Sequence, residues 1–262
     1  MNVRLALLSP LLLMAHAAPV RSGTPAELRD LVPAVDASPD ELSSAAHELQ
    51  TAELRAAVLR QRVIQEELDT VDRLQEVLDQ DKSIEVMPHE VVRLRAERSL
   101  LTSAEEVAGD AVLGLRTRFG ADAIDAAEKP WSRRRDLNVP GLLESAERRA
   151  APGARDSVRA RVEAEVARVA RAEHRLDDLG ESVLPDVSEA LTAALVDLSD
   201  GGSMLDVLEA LGQTARVRGE LVDQALDREV ALVRLELLTG QVLTGAPEPR
   251  RFTPATQVGS LP

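Results

Sequence analysis

An all-α protein of two repeated long antiparallel helical hairpins, coiled-coil-like in character, is the fold class this sequence predicts, and three observations predict it. Apolar residues recur at three-four spacing over long runs, the first of which, Leu42 to Leu78, contains neither glycine nor proline. Aromatic residues are only 1% of the chain, namely Trp131, Phe119 and Phe252, so the core has to be made of Leu, Val, Ile and Ala. Such side chains suit helix-helix seams, where Ala permits close approach and Leu or Val fills the gaps. Finally, two segments offset by 120 positions share one layout of turn, helix and glycine stop.

Each element has its own local cause. Ser38-Pro39-Asp40-Glu41 supplies an N-cap, a proline at the first helical position and acids in the first turn, so a long helix starts there. At 1.5 Å per residue it could reach roughly 60 Å before the polar break Gln80-Asp81-Lys82-Ser83. A second helix is expected from about Pro88 to Arg118, closing on Phe119-Gly120 with the glycine as C-cap. Pro130, Pro140, Gly141, Pro152 and Gly153 mark the following stretch as a connector with one short helix over Leu142 to Ala150. Its basic run Arg133-Arg134-Arg135 reads as a solvated loop. Helical spacing resumes at Asp156 and continues to about Leu198, with a kink expected at Pro185 because proline lacks a backbone donor. After the turn Asp200 to Ser203, a last helix is predicted from Met204 to Thr239, ending on Gly240.

Composition narrows the possible functions. The 262 residues are 44% hydrophobic and 29% charged, which is enough apolar material for one or two folded domains. Net charge is −14 and basic residues alternate with acids along the helices, which argues against a nucleic-acid partner. The absence of cysteine excludes a disulfide framework, a cysteine zinc site and a lipid-modified N-terminal cysteine. Arg4, the apolar run Leu5 to Met14 and Ala15-His16-Ala17 have the form of a secretory leader with a small-x-small cleavage site, so export is expected.

The repeat can be followed residue by residue. Ser83 to Gly120 and Ser203 to Gly240 both span 37 positions, and Arg98 aligns with Arg218, Leu101 with Leu221, Ala111 with Ala231 and Leu115 with Leu235. Each half reads as one helical hairpin that cannot bury its apolar stripe alone. The expected organisation is a leader over 1–17, an N-terminal extension over 18–37, a first hairpin over 38–120, a connector over 121–155, a second hairpin over 156–240 and a disordered tail over 241–262.

Within the second half, Ser203-Met204-Leu205-Asp206-Val207-Leu208-Glu209-Ala210 resembles the second-repeat turn of the outer-membrane efflux protein family, the TolC-like channels. Ala225-Leu226, Ala231-Leu232, Leu235 and Leu238-Thr239-Gly240 are similar to the way those repeats close, and Val183-Leu184-Pro185 with Ala190, Ala193 and Ala194 is similar to the approach to the turn. The resemblance covers Asp156 to Gly240 well and Ala45 to Gly120 loosely. It implies a homotrimer whose hairpins form a hollow periplasmic conduit of an efflux system, located at the outer membrane or in the periplasm. Its turns would dock a periplasmic adaptor protein of an inner-membrane pump. The residues implied in docking are Lys82, Ser83, Gly201, Gly202, Ser203 and Leu205. Such channels also carry pairs of transmembrane strands, which need about ten residues of alternating pattern with aromatic girdles. No segment of this chain has that pattern, and the helical runs continue where the strands would fall.

Two other classes compete. A periplasmic coiled-coil scaffold or adaptor without channel activity needs no strands, and surface pairs such as Asp69 with Arg73 and Glu144 with Arg148 suit any solvated helix. The two readings differ in sidedness: a conduit wall needs a polar face opposite an apolar seam between subunits, whereas a bundle needs one apolar stripe per helix. Leu208, Leu211, Val222, Leu226, Val230, Val233 and Leu237 of the last helix satisfy either. An enzyme is not expected, and neither a cofactor nor a metal. His47, His89 and His174 are far apart and read as solvent-facing, and adjacent carboxylates such as Glu66-Glu67 or Asp177-Asp178 diverge by about 100° on a helix. Arg159, Arg161, Arg168, Arg171 and Arg175 alternate with Glu163, Glu165 and Glu173, which reads as a solvated face.

Overall fold

The computed structural model describes residues 28, 31–80, 87–119, 131–132 and 136–244. The expected leader, the break residues Lys82 and Ser83, the C-cap Gly120, the basic run 133–135 and the expected tail beyond Thr244 lie outside the described residues, while the tail's first residues, 241–244, are described, with Leu243 buried. The fold is all-helical: α1 spans Pro39–Gln80, α2 Pro88–Phe119, α3 Val139–Arg149, α4 Arg155–Asp178, α5 Leu184–Ser199 and α6 Met204–Thr239. A 3-10 turn, Val32–Ala34, precedes α1, and Val35 bridges to Ala150 in the only extended pairing among the described residues. No helix among the described residues is long and apolar enough to cross a membrane.

Helix starts follow the local signals. At α1 the Ser38 hydroxyl accepts the Glu41 N–H at 3.2 Å while the Glu41 carboxylate accepts the Ser38 N–H at 2.8 Å, a reciprocal capping box. Arg149 at the end of α3 also binds that carboxylate, at 2.8 Å, and with the Ser38 N–H holds its pKa down to about 2. α3 is capped by Asn138, whose side chain accepts the Gly141 N–H at 3.3 Å.

Pro185 does not end the helix. Leu179–Val183 widens into a π turn, in which the Leu184 N–H reaches the Leu179 carbonyl five residues back, and α5 continues with the proline in its first turn. Wider winding before a proline relieves the clash between its ring and the preceding turn, so the helix is locally re-wound at the place where the sequence led us to expect a kink to start.

By contact density the chain falls into two compact units, one comprising Met1–Ser22, Ala56–Ala123 and His174–Gln224, the other Gly23–Arg55, Ile124–Glu173 and Ala225–Pro262. In the first, one core is shared by four helices: Ile64, Val71 and Leu74 of α1, Leu94 and Leu101 of α2, Leu198 of α5, and Met204, Val207 and Leu211 of α6. Ion pairs tie these helices together at their edges, Glu66 with Arg218 at 2.8 Å and Asp72 with Arg98 at 2.5 Å, and Arg175 at the end of α4 pairs with Glu220 of α6 at 2.7 Å. Being largely solvated, such pairs add little to stability.

α2 differs from its neighbours in being apolar on two faces. Leu94, Leu101, Val112 and Leu115 are buried, while Val92, Leu100, Val107 and Leu113 on the other side of the helix are exposed. Single exposed aliphatics are ordinary, but four along one helix face form a stripe left largely uncovered by the described residues.

In the second unit the core gathers Leu28, Leu31, Ala34 and Val35 ahead of α1, Ala45 and Leu49 of α1, Leu142 and Ala146 of α3, Val158, Val162 and Val169 of α4, and Leu232, Leu235 and Leu238 of α6. α6 is buried nearly all round here, with Ala231, Leu232, Val233, Leu235, Leu237 and Leu238 inside. The basic face expected on α4 is likewise only partly solvated. Glu165 is buried against Arg234 at 2.9 Å, and Glu173 turns inward to Arg228, while Arg159 pairs outside with Glu163. Of the expected surface pairs, Arg148 reaches the backbone carbonyl of Glu144 at 3.4 Å in place of its carboxylate, and no Asp69–Arg73 ion pair is present among the described residues.

Candidate functional site

The turn between α5 and α6 was the strongest site candidate in the sequence, and its construction can be followed atom by atom. α5 ends with the Gly201 N–H bonding the Leu198 carbonyl at 3.2 Å and the Gly202 N–H bonding the Asp197 carbonyl at 2.7 Å. That pair of bonds is a Schellman motif, which requires a left-handed residue at its centre. Gly201 fills it with φ +93°. Gly202 is needed for another reason: a Cβ there would lie 2.7 Å from the Asp197 carbonyl oxygen. Of the two glycines, therefore, one supplies backbone freedom and the other supplies space.

Ser203 then starts α6. Its hydroxyl accepts the Leu205 N–H at 3.1 Å and donates to Glu90 Oε1 at 2.8 Å, while Glu90 Oε2 accepts the Met87 N–H at 2.9 Å. One carboxylate thus joins the first turn of α2 to the first turn of α6, positions 113 residues apart. Burial alone would raise the Glu90 pKa, but the hydrogen bonds from Met87, Ser203 and the Leu205 backbone outweigh it and the pKa is lowered. Met204 beside it is fully buried, whereas Leu205 points outward at 38% exposure.

Gly201, Gly202, Ser203 and Leu205 therefore sit together in one turn, and the start of α2, which follows the break carrying Lys82 and Ser83, lies against it. Met87, Val92 and Val196 are also exposed within two helical turns of this end. The surface offers apolar contact. Nothing in the sequence pointed to Glu90; a Glu two residues after Pro88 reads as an ordinary first-turn acid.

Charge is buried more deeply in the second unit. Arg228, 5% exposed, donates to Glu173 at 2.9 Å and to the Ser132 carbonyl at 2.6 Å. Glu229 accepts the Ser132 N–H and hydroxyl, both at 2.7 Å, and the Arg55 guanidinium lies 4.8 Å from the Trp131 ring centre. Burial lowers the Arg55 pKa, with Glu229 opposing the shift. Buried charges of this kind hold a chain segment, here Trp131-Ser132 of the expected connector, because each is matched by an opposite charge or a hydrogen bond. Sequence reasoning took Trp131 only as a marker of irregular chain.

Other candidates have little to hold a ligand. His47, His89 and His174 are all exposed, and no group of three metal-ligating side chains occurs among the described residues. An open groove in the first unit is lined by Gln75, Arg95, Arg98, Ser99, Thr102 and Ser103, with Arg98 already committed to Asp72. Compared with known proteins, the chain matches no family model and no curated protein sequence.

Proposed function

We propose that the chain is a component of a tripartite export system of the TolC-like outer-membrane efflux kind, forming or lining a periplasmic helical conduit as a homotrimer of repeated hairpins. Its docking surface for a periplasmic adaptor protein is the turn Gly201 to Leu205 together with the start of α2. The observation that carries this reading is the Ser203–Glu90 hydrogen bond, which brings two helix starts side by side at one end of the first unit. Exposed Met87, Val92, Val196 and Leu205 give that end an apolar contact surface suited to a helical partner. The exposed stripe of α2 supports association between copies.

The clean probe is Leu205→Glu, because the side chain is exposed and is not part of the core shared by the four helices. We expect site-specific crosslinking to the adaptor to fall at least tenfold while the thermal midpoint stays within about 2 °C, as is usual for surface substitutions. Undiminished crosslinking would remove the docking assignment. Gly202 is a poor probe, since any side chain there collides with Asp197.

A second reading, a periplasmic helical scaffold without a conduit, is favoured by one observation: four helices of the first unit share a single closed core, the arrangement of a bundle. Carbonate washing of envelopes from a Gram-negative host separates the two. Retention in the outer membrane as a stable trimer supports the conduit, and release as a soluble periplasmic species supports the scaffold.

A further inference from the structure

We propose that Glu48, Glu236 and Thr244 form a proton-operated clasp in the second unit, which holds the segment Gly240 to Thr244 closed while Glu48 is protonated and loosens it when Glu48 ionises.

The geometry requires a proton. After α6 ends, Gly240 takes φ +67° and the chain turns back, so that Glu236 Oε1 accepts the backbone N–H groups of Leu243 and Thr244. The Thr244 hydroxyl lies 2.6 Å from the same oxygen and 3.3 Å from Glu48 Oε2 on α1. One hydroxyl hydrogen cannot serve two carboxylates. With Thr244 donating to Glu236, the contact to Glu48 is satisfied only when Glu48 carries a proton and donates it. Ionised, it leaves two carboxylates facing one hydroxyl in a half-buried site.

Among the described residues, the arginines of the neighbouring elements already face other groups. On α6, Arg228 is held by Glu173 and the Ser132 carbonyl, and Arg234 lies against Glu165 of α4. At the end of α3, Arg149 is held by Glu41 and the Asp36 carbonyl. On α1, Arg55 lies over Trp131, and His47 beside Glu48 is exposed. Glu229 adds a further negative charge. Burial first, and then the charge of Glu236, push the Glu48 pKa up to about 7.

The sign of the effect follows. A carboxyl whose pKa is raised on folding contributes stability that is present at low pH and lost as pH rises through its folded value, here near 7. The loosening is local, because Leu243 remains buried in the core and the Gln241 side chain is held by Ser145 at 2.7 Å and by the Gly141 carbonyl at 3.2 Å.

Amide hydrogen exchange of the full-length chain tests the clasp, with rates corrected for intrinsic pH dependence. Protection at Leu243 and Thr244 should fall about tenfold between about pH 6 and about pH 8 in the native protein, and should stay at its low-pH level in Glu48→Gln, whose neutral amide can donate as the protonated acid does. Trp131 fluorescence, recorded on the same samples, reports whether the second unit stays folded. Equal protection at both pH values in the native protein, or the same loss in Glu48→Gln, would overturn the proposal. A variant that fails to fold is replaced by Glu236→Gln, which removes the charge facing Glu48 and should weaken the change in protection between about pH 6 and about pH 8; an undiminished change would equally count against the clasp.

Discussion

Gly201 and Gly202 stand next to each other in one turn and are constrained by different physics. Gly201 needs φ +93°, a region where an L side chain crowds its own backbone, while Gly202 needs the space that a Cβ would take from the Asp197 carbonyl. Gly201→Ala should therefore destabilise the first unit by about 1–2 kcal/mol, measured by urea denaturation, because the methyl group meets no other atom and only the backbone strain is added. An unchanged midpoint would mean that the turn adopts another conformation at little cost. The sequence marked both glycines as a turn but gave no way to separate their roles, since the collision at Gly202 depends on how α5 ends.

Helices α1 to α6 begin and end close to the positions read from the sequence, because the signals that bound them are local. The capping box at Ser38, the proline at the start of α2 and the glycine after Thr239 each act within one turn of chain. The π turn before Pro185 was not foreseen, since re-winding and bending satisfy the same missing donor and the choice depends on what the helix packs against. Exposure along α2 was equally hidden: its apolar residues were visible, but which of its two apolar faces would be covered was not. Replacing Leu100 and Val107 together by Glu should leave thermal stability nearly unchanged, within about 0.5 kcal/mol per site, while dissociating any homo-oligomer to monomers in analytical ultracentrifugation. A variant that keeps the assembly state of the parent would show that the stripe is not a subunit seam.

Across the molecule, the acids divide into two groups with opposite pH responses. Burial first, and then the nearby charge of Glu97, push Glu67 up to about 8, with Arg218 opposing, and Glu48 is raised to about 7. Both favour folding below their unfolded pKa and lose that contribution as pH rises through the folded values. Glu41, lowered to about 2, contributes above its unfolded pKa and loses that contribution as pH falls toward the folded value. Stability should therefore be highest near the unfolded carboxyl value of 4.5 and decline from there to about pH 8. Glu67→Gln, which keeps the shape of a buried protonated acid, should raise stability at pH 8 by on the order of 2–3 kcal/mol and flatten the alkaline side of the profile. A profile with the native slope after this substitution would mean that Glu67 is not the titrating group.

The sequence by itself determined the all-helical class, most of the described helix bounds and the turn before α6, because periodicity and caps act over a few residues and need no knowledge of the rest of the chain. Only the tertiary structure decided which faces meet. Glu90 binds Ser203, Glu48 shares Thr244 with Glu236, and Arg228 is buried between Glu173 and Ser132. Apart from Glu236 and Thr244, which are 8 positions apart, these partners lie 55 to 196 positions apart. A helical repeat fixes the direction of a side chain around its own axis, but not the neighbour it finds there. Burial, which makes a carboxylate a proton acceptor or an arginine an anchor, exists only once distant segments have closed around it.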